Sequence, residues 1–129
     1  MKKLEQVKPF HTDDRGKMSY LSDGKTKVND VLIMTCKKGA VRANHYHHHD
    51  THHMYLIEGK YEYISRDMKK KGGPVKREII LPGQLVKTPP MIAHKVRYLE
   101  DSLVVVLTTE PRDQKSYEKD TVRLEVEDL

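Results

Sequence analysis

At 129 residues the chain is shorter than an average domain unit, so one domain with a single core is expected over residues 1–129, and two independent catalytic domains are excluded. Twenty-four Lys and Arg against 19 Asp and Glu leave a formal charge of +5, a balance that favours an anionic ligand. Cys36 is the only cysteine, which excludes an internal disulfide, a zinc knuckle and a CxxC redox pair.

No run approaches the roughly 18 apolar residues of a membrane span, and the opening MKKLEQVKPF has no apolar signal region. A cytoplasmic protein with no membrane partner is expected. The Lys69–Lys71 run adds charge, but without a basic helix or an aromatic ribonucleoprotein-type motif no nucleic-acid partner is expected.

The hydrophobic pattern is that of an all-β chain, because short apolar or alternating runs recur between turn residues and no sustained 3.6-residue repeat is present. Residues 31–36 read as a strand ending at Lys38-Gly39. Residues 41–49 alternate, which puts Val41, Ala43, His45, His47 and His49 on one face. Residues 54–57 form the next strand, closed by Glu58-Gly59. Residues 60–66 alternate charged and aromatic side chains, with Tyr61 and Tyr63 on one face, and a basic turn then leads by a hairpin to a strand over 75–81. Pro82-Gly83 turns the chain into residues 84–87, and Pro89-Pro90 ends that strand by removing two backbone donors. A strand over 94–99 follows. Residues 103–107 are the most apolar segment and read as a strand buried on both faces. A helical turn is predicted near 114–119, then a last strand in which Val122, Leu124 and Val126 alternate. Such a series of short strands predicts a sandwich or small barrel of the jelly-roll type.

Histidine is the outlier: eight are present, six of them between positions 45 and 53. On a strand, His45 and His47 project to the same face about 6.6 to 7 Å apart, close enough to share a metal ion. His52 or His53 follows a short turn and can return to the same ion, and His94, after the Pro89-Pro90 bend, supplies a fourth candidate ligand. Imidazole donors favour a divalent transition metal, zinc or iron foremost and nickel or copper also, over magnesium and calcium. Solvent-facing loop residues are the competing reading for His48, His49 and His53, and His11 reads as surface.

The spacing of these residues resembles that of the cupin superfamily. Gly39, five residues, His45, Tyr46, His47, four residues, His52, six residues and Gly59 reproduce its first motif, with His52 where an acidic residue is usual. Gly83, Pro89 and His94 match its second motif, with Met91 in place of a glycine and Tyr98 in place of an asparagine. The resemblance implies a double-stranded β-helix barrel with its core at about residues 28–110, a homodimer, and metal ligands His45, His47, His52 and His94. His53 takes the place of His52 if the turn is one residue longer.

A narrower resemblance is carried by Asp14-Arg15-Gly16 and by Arg42-Ala43-Asn44-His45-Tyr46-His47-His48. These segments are similar to those of cupins that work on nucleotide-linked sugars, including zinc-dependent epimerase domains of capsular-polysaccharide enzymes, which carry glycine where Ala43 stands. It implies an epimerase or isomerase that abstracts a proton beside a keto group with metal assistance. His49, Tyr61 and Tyr63 are then candidate acid/base residues, with Glu58 a weaker one. Arg15, Arg42 and Lys87 are candidates to bind the diphosphate of a nucleotide-sugar substrate. The alternatives are an iron(II) dioxygenase of a small diketone or thiol, and a non-catalytic small-molecule-binding cupin.

Overall fold

A computed structural model describes residues 3–71 and 73–124. The predicted strands at 31–36, 41–49, 54–57 and 60–66 correspond to β4 (Asp30–Cys36), β5 (Val41–His47), β6 (His52–Glu58) and β7 (Tyr61–Asp67). They are followed by β8 (Lys76–Ile80), β9 (Gln84–Thr88), β10 (Ile92–Tyr98) and β11 (Ser102–Thr108). A helix, α1 (Gln114–Asp120), occupies the predicted helical turn and leads into β12 (Thr121–Arg123). The predicted strand runs on through Leu124 and Val126, but β12 stops at Arg123: Leu124 follows it outside the strand, its backbone N–H donating to the Asn44 carbonyl at 3.0 Å, and Val126 lies outside the described residues. Three short strands were not apparent from the pattern: β1 (Lys3–Gln6), β2 (His11–Asp13) and β3 (Gly16–Met18).

The strands form two five-stranded antiparallel sheets, ordered β1-β9-β6-β11-β4 and β12-β5-β10-β7-β8, with β2 and β3 as a separate hairpin. From β4 to β11 each strand passes to the opposite sheet, except that β7 and β8 pair directly as the predicted hairpin, Tyr61 opposite Ile80. Gly59 makes one of these sheet-to-sheet turns at φ +103°, and a Cβ there would stand 2.6 Å from the Asp101 carbonyl oxygen. Only glycine fits both the backbone and the space.

Inward-facing residues of both sheets make one core, with Met54, Leu56, Val104 and Val106 from one and Tyr61, Tyr63, Val96 and Tyr98 from the other. Two expectations are corrected. On β11 Val104 and Val106 face the core and Leu107 is also buried, but Leu103 and Val105 are only half-buried, so the second face of the strand is covered only in part. On β5, Ala43 and Asn44 adopt φ +68° and +66°, and the pairing with β10 shifts register between His94 and Lys95. That bulge breaks the period of two. Val41 therefore lies 52% exposed instead of sharing the inner face with His45. Among the described residues no helix is long and apolar enough to cross a membrane.

Candidate active site

The residues of one barrel end converge because of register. His45 and His47 occupy alternate inner positions of β5, and His94 on β10 is the direct partner of His45 across the ladder. His52 enters from the other sheet as the first residue of β6, its ring centroid 4.6 Å from that of His47. His45 lies 4.6 Å from His47 and 4.9 Å from His94, ring to ring. All four are buried. His53, the next residue, faces the opposite side of β6 and lines a surface depression with Lys87 and Asp23. Strand alternation thus brings His52, not His53, to the cluster.

Hydrogen bonds fix the tautomers of two rings. The Thr121 hydroxyl donates to the Tyr117 carbonyl at 2.6 Å, so at 3.1 Å it accepts from the Nδ1–H of His47. His94 donates through Nδ1 to the Ile92 carbonyl at 3.0 Å. Both rings therefore carry their lone pair on Nε2, and Nε2 of His47 is buried with no hydrogen-bond partner among the described residues. Burial, reinforced by the neighbouring histidines, holds the rings neutral: His45 is pushed down to about 2, His47 to about 3 and His94 to about 4. Neutral imidazoles with free lone pairs suit a divalent transition metal. Ring nitrogens of His45, His47 and His94 that could ligate a metal lie within 4.8 Å of one another.

His52 belongs to a second group of that kind, with His47 and Asp50. Its Nε2–H donates to Asp50 Oδ2 at 2.8 Å. Asp50 is itself held by the backbone N–H groups of Thr109 (3.0 Å) and Glu110 (3.1 Å). Burial raises its pKa, but the His52 hydrogen bond and these N–H donors outweigh burial and leave the carboxyl below its ordinary value. Among the described residues no group brings all four expected histidine ligands together, because His52 presents its Nε2 to Asp50.

A cavity of about 120 Å³ opens over the cluster, with His45, His52 and His94 on its wall together with Arg42, Arg112 and Tyr117. Several expected residues lie elsewhere. β5 ends at His47, so His49 is exposed in the following bend, where its backbone N–H donates to Asp120 Oδ1 at 2.8 Å. Tyr61 packs against Tyr98 in the core, and Tyr63 stacks on His94 with its hydroxyl hydrogen-bonded to Thr88. Burial raises both phenols above their ordinary value, and neither lines the cavity. Glu58, at the far end of β6, lines a depression beside Asp101. Arg15 is on the β2–β3 hairpin, paired with Asp13 at 2.7 Å, and Lys87 lies on the outer face beside His53. Of the three expected anion binders only Arg42 reaches the cavity. Asp50 and Arg112 come to the site from loops, Tyr117 from α1 and Thr121 from the start of β12; the helical turn was expected, but no role was expected for any of these four residues.

A family model described as polysaccharide biosynthesis C-terminal domain matches residues 11–122. The chain belongs to that family. Comparison with curated protein sequences finds no match. Among solved structures, this family member is similar to a 3,4-ketoisomerase from Thermoanaerobacterium thermosaccharolyticum in complex with TDP, at 19% identity and TM-score 0.76, covering 95% of this chain and 87% of that one. A dTDP-4-dehydrorhamnose 3,5-epimerase from Sulfolobus tokodaii matches at 19% identity and TM-score 0.74, over 95% and 75% of the two chains. A 3,4-ketoisomerase from Helicobacter canadensis matches at 16% identity and TM-score 0.77, over 95% and 90%. The shared fold is the cupin jelly roll expected from the sequence.

Proposed function

We propose that this polysaccharide-biosynthesis family member is an epimerase or ketoisomerase of a nucleotide-linked keto sugar. The observation that carries the reading is the Asp50–His52 pair set beside three neutral buried histidines in one small cavity. His52 is the ring of the cluster with a carboxylate at hydrogen-bond distance, and with Nε2–H donated to Asp50 its Nδ1 is the basic nitrogen. That is the arrangement of a general base whose cation is stabilised as it forms. In this reading His52, expected as a metal ligand, takes the acid/base role for which His49, Tyr61 and Tyr63 were the candidates.

The substrate's keto group enters the cavity and His52 removes the proton from an adjacent carbon. The C–H pair becomes the C=C bond of an enediolate, and the carbonyl pair moves onto oxygen. Delivery of a proton from water to the opposite face of the same carbon, with the proton on His52 released to solvent, inverts that centre. Return of the proton to the former carbonyl carbon, with a proton passing between the two oxygens, shifts the keto group instead. Neither outcome changes the composition, so no oxidant is consumed. A zinc or iron ion held by His45, His47 and His94 would supply Lewis-acid polarisation of the keto oxygen when bound. The cavity is smaller than the roughly 300–1,000 Å³ of whole-ligand pockets, so it takes the reacting end of the sugar and leaves the nucleotide at its mouth.

The test is proton exchange. One related structure is a complex with TDP-4-keto-6-deoxyglucose, and that compound in deuterated water is expected to take up deuterium beside its keto group in the presence of this protein. His52→Ala and Asp50→Asn are expected to slow the uptake about 100-fold or more, the usual worth of a positioned base. Undiminished exchange in His52→Ala would remove His52 from the mechanism. Absence of exchange with the wild-type, metal-supplemented protein, alongside oxygen uptake with iron, would replace the isomerase reading by the dioxygenase one.

A further inference from the structure

We propose that Arg112 is a ligand-binding residue that receives the substrate's phosphate at the mouth of the histidine cavity, with Tyr117 as the shelf that holds its guanidinium. Naming the anion as a phosphate rests on the nucleotide-sugar reading above.

Arg112 follows directly on the barrel. Its backbone N–H donates to Asp30 Oδ2 at 2.7 Å, which pins this segment to the start of β4. The guanidinium carbon lies 4.0 Å from the centroid of the Tyr117 ring, a cation–π contact, and that ring is 5.6 Å from His47 and 6.1 Å from His45. The charge is thus one aromatic ring away from the imidazole cluster. Its Nε and Nη1 are buried, yet neither donates a hydrogen bond, and the side chain makes no ion pair, among the described residues. Buried donors on a permanently charged group are costly to leave unpaired, and here they belong to a side chain on the cavity wall. Arg42 lines the same cavity, so two guanidiniums that form no ion pair with a carboxylate among the described residues face a space that an anion would neutralise. The guanidinium fork matches phosphate oxygens. Arg15 and Lys87, the other cations expected to meet a diphosphate, lie on outer surfaces, so the anion contact passes to a residue of the segment after the barrel.

Calorimetric titration with TDP and with inorganic pyrophosphate tests this, with each variant's melting temperature recorded. Arg112→Gln is expected to weaken both ligands about 10- to 100-fold, the worth of a charge-assisted hydrogen bond. Arg112→Lys, which keeps the charge but loses the fork and the stacking, should weaken them less, and Tyr117→Leu should weaken them in parallel. Lys87→Gln should change neither. Wild-type affinity in both Arg112 variants overturns the assignment, and if TDP still binds, the nucleotide-sugar reading survives it. If pyrophosphate binding depends on Arg112 but TDP binds no tighter than pyrophosphate, Arg112 stands and the nucleotide reading falls. Failure of the wild type to bind either ligand overturns the Arg112 assignment. Should Arg112→Gln not fold, the folded Arg112→Lys protein decides, a loss of affinity supporting the proposal and none overturning it.

Discussion

His47 and His94 each donate through Nδ1 to a fixed acceptor, Thr121 and the Ile92 carbonyl, and each is left with a lone pair on Nε2. Such second contacts orient ligating rings, and their loss typically costs about 10- to 100-fold in metal affinity. Elemental analysis of untagged protein is therefore expected to find about one zinc or iron per chain. The metal should be lost in His45→Ala and His94→Ala, held more weakly in Thr121→Val, and kept in His49→Ala and His53→Ala. Full metal content in the first two variants would remove the ion from the proposal. At this scale the HxH spacing was legible in the sequence because a strand's period of two needs only neighbouring residues. The choice between His52 and His53 was not, since it depends on where β6 begins. Asp50 was invisible as a partner because it reads as a turn residue.

Two positions of the cupin-like segments that depart from glycine, Ala43 and Met91, both adopt φ +68°. An L-residue in that region pays about 1–2 kcal/mol, part of which glycine returns through its larger unfolded-state entropy. Ala43→Gly is accordingly expected to stabilise the protein by about 0.5–1 kcal/mol, read as a higher urea midpoint at unchanged m-value. A lower midpoint would mean that the Ala43 methyl group contributes more by packing than the backbone strain costs. Met91→Gly is a poorer test, because it also deletes a half-buried side chain. The succession of strands along the chain was legible as a series of apolar and alternating runs, and the β7–β8 hairpin was marked by its basic turn, but the order of strands within each sheet was not. The β5 bulge was not, because alternation in sequence continues through Ala43 and Asn44 while the backbone does not.

Over the whole molecule the buried histidines tie stability to pH. In the fold their pKa values lie well below the ordinary 6.5, at about 2, 3 and 4 for His45, His47 and His94, so the unfolded chain binds more protons in weakly acidic solution. The stabilisation they contribute by staying neutral is complete above 6.5 and is lost as pH falls from there towards the folded values. Each contributes a slope of up to about 1.4 kcal/mol per pH unit. Metal-free protein should therefore show a markedly lower urea midpoint at pH 5 than at pH 7.5, and replacing His94 by Gln should flatten that difference. An equal midpoint at the two pH values would mean that the cluster is solvated.

Composition, turn residues and hydrophobic period by themselves determined an all-β jelly roll and a histidine-rich end, because local periodicity decides which residues form strands and which face each strand buries. The short edge strands β1, β2 and β3 escaped, lacking an apolar run long enough to show a period. Only the tertiary structure decided which side chains share the cavity. Pairing of β5 with β10 sets His94 opposite His45, the first residue of β6 brings His52 from the facing sheet, and the chain after β11 folds back with Arg112, Tyr117 and Thr121. The same folding puts Arg15 and Lys87 on outer surfaces and leaves His49 in a bend. These are contacts between residues up to about 80 positions apart, set by sheet register and crossover, and no local pattern encodes a distance between strands of different sheets.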